Sequence, residues 1–164
     1  MKKWLGFLLF PLMISCPGAQ TMDEVLDSYN KESVPYIQVS KLAKESGATL
    51  LDTREKEEFE VSHLENSQWV GYEQFDINEF LVRYPDKNDT LVVYCSIGVR
   101  SEDIGEQLMN AGYTNVQNLY GGIFEWKNKG YPVVDTQEEK TEKVHAYSKY
   151  WGKLLTNAEK VYSP

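Results

Sequence analysis

Between Ile37 and Val134 the apolar residues fall into short blocks separated by polar stretches, and the blocks alternate between two periodicities. Thr90-Leu91-Val92-Val93-Tyr94 is an unbroken apolar run, the pattern of a strand buried on both faces. Thr49 to Asp52 is another buried-looking strand, and Ser67 to Val70 and Val116 to Leu119 are further strands. Helical spacing fills the gaps. Ser40 can cap a short helix through Lys44 that Gly47 stops, and a polar helix contains Phe59. Ile77, Phe80, Leu81 and Tyr84 share one face of a helix over Asp76 to Tyr84, which Pro85 ends. Ile104, Leu108 and Ala111 mark a helix that starts after Arg100, and Gly122 to Asn128 forms the last one. Strands alternating with helices predict an α/β domain with a mostly parallel central sheet flanked by helices on both faces.

Three segments lie outside this pattern. Lys2 and Lys3 precede an apolar stretch from Trp4 to Ile14, far below the roughly 20 residues that span a bilayer. Residues 1–15 therefore read as an export signal. Its end, Met13-Ile14-Ser15-Cys16, is similar to a bacterial lipobox, which implies lipid attachment at Cys16 and a place in the cell envelope or periplasm. The alternative is an ordinary secretory peptide cut near Ala19. Residues 16–34 form a polar connector in which a short helix would put Val25, Leu26 and Tyr29 on one side. The domain proper spans 35–134. Residues 135–164 read as a charged linker followed by an amphipathic helix with Val144, Tyr147, Trp151, Leu154, Ala158 and Val161 in one stripe. Gly152 interrupts that stripe at a cost of about 1 kcal/mol to a helix. Such a helix would either fold back over the domain or dock a protein partner.

Charge narrows the partners. Seventeen Lys and Arg against twenty-five Asp and Glu give a net charge of -8 over 164 residues. That balance disfavours nucleic acid and anionic membrane surfaces, so membrane contact is expected only through the N-terminal lipid. Two histidines and two cysteines offer no ligand cluster at zinc-like spacing, and no phosphate-binding glycine loop occurs, so neither metal nor cofactor is expected. Of the two cysteines only Cys95 stays as a free thiol in the folded domain under either cleavage, an odd residue for an oxidising compartment and a candidate for chemistry.

Cys95 sits at the carboxyl end of the buried strand and begins the loop Cys95-Ser96-Ile97-Gly98-Val99-Arg100-Ser101. Ligands of open α/β sheets bind at that edge. The next helix offers unpaired amides and the positive end of its dipole, loop amides can form an anion-binding nest, and Gly98 can take a positive φ. Helix N-termini and a neighbouring Arg favour thiolate over thiol. The same amides would stabilise the terminal sulfur anion of a persulfide. On residues alone, a small buried cysteine ending a core strand is an equal reading.

From Ile37 to Val134 the chain resembles the rhodanese family. Leu51-Asp52-Thr53-Arg54 with Glu58-Phe59, Ser62-His63-Leu64, the Cys95 loop, Ala111-Gly112-Tyr113, Leu119-Tyr120-Gly121-Gly122 with Trp126, and Gly130-Tyr131-Pro132-Val133 occur in the family's order. The resemblance implies a rhodanese-like fold and a sulfurtransferase. Sulfane sulfur would pass from a small sulfur-containing anion or persulfide donor to a thiol or cyanide-like acceptor through a Cys95 persulfide. Arg100 would orient donor or acceptor, and Ser96, Ile97, Gly98, Val99 and Ser101 would form the binding loop. Four residues separate Cys95 from Arg100, as in the sulfurtransferase version of the loop; the phosphatases and arsenate reductases of this fold carry one residue more. The remaining alternative is a catalytically weak interaction module that retains its cysteine.

Some positions depart from the family pattern or have bland roles. Ser62 replaces a glycine, and Ser67-Gln68-Trp69-Val70 replaces a more regular segment. Glu102 and Asp103 stabilise the first helical turn but oppose the positive potential offered to an anion, which predicts weak turnover of dianionic thiosulfate. Asp52 and Arg54 read as a supporting ion pair and His63 as a residue that ties backbone together. Trp126 reads as core packing and His145 as solvent-facing.

Overall fold

The computed structural model describes residues 20–45 and 47–162. The export signal and Cys16 lie outside the described residues. Among the described residues no helix is long and apolar enough to cross a membrane.

A helix in the connector, α1 (Met22–Tyr29), comes first; Thr21 and Glu24 form a reciprocal capping box at its start. The domain then runs β1 (Tyr36–Ile37), α2 (Val39–Leu42), β2 (Thr49–Asp52), α3 (Lys56–Val61), β3 (Gln68–Trp69) and α4 (Ile77–Arg83). It continues with β4 (Thr90–Tyr94), α5 (Val99–Asn110), β5 (Asn115–Leu119) and α6 (Gly122–Asn128). The five strands form one sheet in the order β1-β5-β4-β2-β3, with every neighbouring pair parallel. This is the expected α/β architecture.

Strand β4 is central, and its alternating side chains feed two cores. Val92 and Tyr94 pack with Ile37, Leu119, Ile123 and Phe124 on one face. Leu91 and Val93 pack with Leu51, Phe80, Ile104 and Leu108 on the other. Burial on both faces explains the unbroken apolar run. Asp76 caps the start of α4, its carboxylate accepting the amides of Asn78 and Glu79.

The connector is part of the domain. Val25 and Leu26 are buried, and Val34 packs so closely on α5 that a Cβ at Gly105 would meet its Cγ2 at 2.8 Å. Glu102 accepts the amides of Lys31 and Ser33, and the Tyr120 hydroxyl donates to Asp23.

The expected C-terminal amphipathic helix is not formed. After β6 (Val133–Val134) and β7 (Lys140–Thr141), an antiparallel pair, the tail forms β8 (Lys143–His145), a 3₁₀ turn at Trp151–Leu154, and β9 (Glu159–Val161). Strands β8 and β9 pair in parallel. Val144, His145 and Ala146 are buried in succession, a run that a one-sided helix stripe cannot supply. Gly152 sits in tight packing: a Cβ there would lie 2.7 Å from the Tyr162 hydroxyl. The tail does fold back, by a different conformation from the one its spacing predicts.

Candidate active site

Strand β4 delivers Cys95 to the carboxyl edge of the sheet, and the loop after it runs directly into α5. Gly98 adopts φ 106° and caps the helix. An L side chain rarely takes that conformation, and glycine lets the chain turn within three residues of the cysteine. Helix α5 therefore begins at Val99, not after Arg100, and no side chain caps its first turn.

Three sets of hydrogen bonds set the loop's orientation. The carbonyls of Cys95 and Ser96 accept the amides of Ile123 and Phe124 at 2.9 and 3.1 Å, so the amino end of α6 holds them. On the cysteine itself, the Gly98 amide donates to Sγ at 3.1 Å. The start of α5, which no side chain caps, lies directly after Gly98. Asn118 fixes the loop from behind: its Nδ2 donates to the Gly98 carbonyl at 2.8 Å while its Oδ1 accepts the Ser101 hydroxyl at 2.8 Å. Ser101 is fully buried there, so it braces the loop and does not line the binding surface expected of it.

Cys95 is only 1% exposed, yet it forms the floor of a pocket of about 170 Å³. Ser96, Ile97, Val99 and Arg100 from the loop contribute to its lining. The rest of the wall comes from outside the domain as delimited by sequence: Tyr29 from α1, and Tyr147 and Trp151 from the tail. Sequence reasoning missed all three as site residues. The aromatic positions themselves were visible, but their convergence depends on how the two flanking segments fold back.

Glu58 is the other residue missed. Arg100 donates to its carboxylate through both terminal nitrogens, at 2.6 and 2.9 Å, and the Ser96 hydroxyl donates to it at 2.9 Å. Arg100 also donates to Ser96 Oγ at 3.0 Å and lies 5.0 Å from the centre of the Tyr147 ring. Burial pushes the Glu58 carboxyl up, but its bonds to Arg100 and the charges of Arg100 and Arg54 outweigh this and hold it below the ordinary carboxylate range. Burial works against the charge on Arg100 as well, and its bonds to Glu58 with the surrounding negative charge hold it above its ordinary value. The pocket's cation is thus matched by a buried anion. Glu102 and Asp103, expected to oppose the loop's potential, are occupied elsewhere: Glu102 by the connector amides, Asp103 by the Tyr72 hydroxyl at 2.7 Å.

The supporting residues lie one layer further in. Arg54 and Asp52 are fully buried and paired through Arg54 Nη2 and Asp52 Oδ2 at 2.6 Å, and Nη2 also donates to the Ser62 carbonyl at 2.6 Å. This pair ties the end of β2 to the segment after α3. His63 stacks on Phe59 with ring centres 3.8 Å apart, its Nδ1 lies 3.1 Å from the Phe59 carbonyl, and its backbone bridges to Val134. That geometry serves backbone positioning. Trp126 donates from its indole to the Pro132 carbonyl and packs against Tyr131. His145, expected in solvent, is buried, with Nδ1 4.0 Å from Glu58 Oε1. Burial lowers its ring pKa against the opposing pull of the Glu58 charge.

Residues 37–129, more than half of the chain, match the model of a family described as the rhodanese-like domain. The chain belongs to the rhodanese-like domain family. Among the relatives of this rhodanese-like protein, the adenylyltransferase and sulfurtransferase UBA4 of Candida albicans is 29% identical over 116 residues, 68% of this chain and 26% of that protein. A tRNA uridine(34) hydroxylase of Photorhabdus laumondii is 32% identical over 121 residues, 68% of this chain and 34% of that protein. The rhodanese-like chain thus spans about a quarter to a third of these two relatives. The crystal structure of a rhodanese-related protein from Thermoplasma volcanium superposes with a TM-score of 0.53 at 28% identity, over 61% of this chain and 97% of that one. The family match ends before the tail and begins after α1, so Tyr29, Tyr147 and Trp151 lie beyond it.

Proposed function

We propose that this rhodanese-like protein is a sulfurtransferase that carries sulfane sulfur on Cys95. In the first step the Cys95 thiolate attacks the outer sulfur of a thiosulfate- or persulfide-type donor. The new Sγ–S bond forms as the donor's S–S bond breaks, and the electron pair leaves with the donor as sulfite or a thiolate. In the second step a thiol or cyanide-like acceptor takes the terminal sulfur and returns Cys95 as thiolate. No net oxidant is consumed. The single observation that carries the reading is the Gly98 amide bonded to Sγ at the floor of a pocket. A neighbouring amide positioned for a sulfur anion suits both the attacking thiolate and the persulfide it becomes. Arg100, held by Glu58 and Ser96 beside the sulfur, is the orienting cation. The relative bearing the name sulfurtransferase supports the same chemistry.

The test is steady-state turnover with a sulfane-sulfur donor and cyanide, followed by thiocyanate formation. Native protein is expected to turn over. Cys95→Ser, which keeps size and loop geometry but removes the nucleophile, is expected to lose at least about a thousandfold in rate. Turnover retained in that variant would reject the proposal.

A further inference from the structure

The aromatic wall of the pocket lies outside the residues that match the family, and it lines the same cavity as Cys95. Tyr29 and Trp151 meet edge to face with ring centres 5.4 Å apart, so the connector and the tail close against each other beside the loop. Tyr147 adopts φ 61°, the left-handed region that few residues other than glycine enter. Its ring lies beside the Arg100 guanidinium, 5.0 Å away. A strained backbone beside a reactive group is the kind of outlier from which a binding role can be argued. Ile97 and Val99 extend the apolar lining. An apolar cavity of about 150 Å³ is large enough to hold benzene, and this pocket is about 170 Å³. Arg100, the cation lining the pocket, is already matched by the Glu58 carboxylate, which leaves little net positive charge for a dianion.

We propose that Tyr29, Tyr147 and Trp151 select sulfur donors that carry one negative charge and an apolar organic group, in preference to inorganic thiosulfate. This inference rests on the sulfurtransferase reading and specifies its substrate class. With an aryl thiosulfonate, the Cys95 thiolate attacks the terminal sulfur, the Sγ–S bond forms, the bond to the sulfonyl sulfur breaks, and its electron pair leaves with the aryl sulfinate. The aryl ring is held among the three aromatic side chains, and the sulfonyl oxygens face Arg100.

The experiment compares kcat/KM for benzenethiosulfonate and for thiosulfate, with cyanide as acceptor, in the full chain. The ratio of the two values is read in the native protein, in Tyr147→Asn and in Tyr29→Ser. Asparagine tolerates the left-handed backbone, and the two variants alter different segments, so misfolding of one leaves the other to decide. The ratio is expected to fall about tenfold in each variant, the scale of discrimination an apolar pocket supplies. An unchanged ratio in both variants, with both donors still used, overturns the substrate class and leaves sulfur transfer standing. Loading of native Cys95 by thiosulfate but not by benzenethiosulfonate overturns the substrate class alone, and failure of both donors to load it overturns the sulfurtransferase reading and the substrate class with it.

Discussion

Gly122→Ala is expected to destabilise the domain by about 3 kcal/mol or more and to disable the cysteine loop at the same time. Gly122 has φ 53°, and a Cβ at this position would stand 2.2 Å from the Cys95 carbonyl oxygen and 2.8 Å from the carbonyl carbon and oxygen of Ser96. All three contacts are with backbone atoms, which no rotamer change can move. The same carbonyls are those that accept the Ile123 and Phe124 amides. Relieving the clash would separate α6 from the loop, break those two bonds inside the core, and rotate the peptides that position the Gly98 amide on Sγ. The check is a urea unfolding curve together with turnover measured well below the unfolding midpoint. A stable variant with native turnover would mean that the close approach of α6 is not what shapes the loop.

Glu58→Gln is expected to lower stability by about 2–3 kcal/mol at neutral pH, because it leaves a buried guanidinium without its anion. Arg100 has 17% of its side chain exposed, so partial solvation keeps the loss below that of a fully enclosed pair. The effect is pH dependent, and its sign follows from the direction of the shift. The fold holds the Glu58 carboxyl below its ordinary value of 4.5, so the native state favours the ionised form. Its stabilisation is complete above about pH 4.5 and drains away as pH falls through the lower native value. The stability gap between native protein and variant should therefore be widest near neutrality and narrow in acid. Removing the matched carboxylate should also free the charge of Arg100 and lower the KM for thiosulfate several-fold. A gap independent of pH, or a raised KM, would show that Glu58 does not neutralise the pocket's cation.

Local pattern revealed the parts of the structure that local forces determine. The run Thr90–Tyr94 is buried on both faces and can only be a central strand, and the glycine needed at Gly98 follows from how tightly the chain must turn after it. The last helix of the domain, α6, has the expected bounds, Gly122–Asn128. Where the sequence misled, tertiary contact had overridden spacing. Val144, Tyr147, Trp151 and Leu154 fall at helical intervals, yet the tail buries Val144 and His145 in a strand and brings Tyr147 and Trp151 to the pocket. Gly152 was the one local sign of this, and its meaning lies in contact with Tyr162. Glu58 reads locally as part of a helix cap on α3, and its bond to Arg100 spans 42 residues, beyond any periodicity. His145 was misjudged for the same reason, since only the folded tail brings it to Glu58. The connector carried a legible helix, but nothing local showed that its following amides would cap onto Glu102.

The central claim is that Cys95 accepts a second sulfur, and the most direct measurement is the intact mass of the protein after brief exposure to a sulfane-sulfur donor without reductant. Native protein should gain one sulfur atom, lose it again on addition of cyanide, and show no gain when Cys95 is replaced by serine. No gain in the native chain, or an equal gain in Cys95→Ser, would contradict the account.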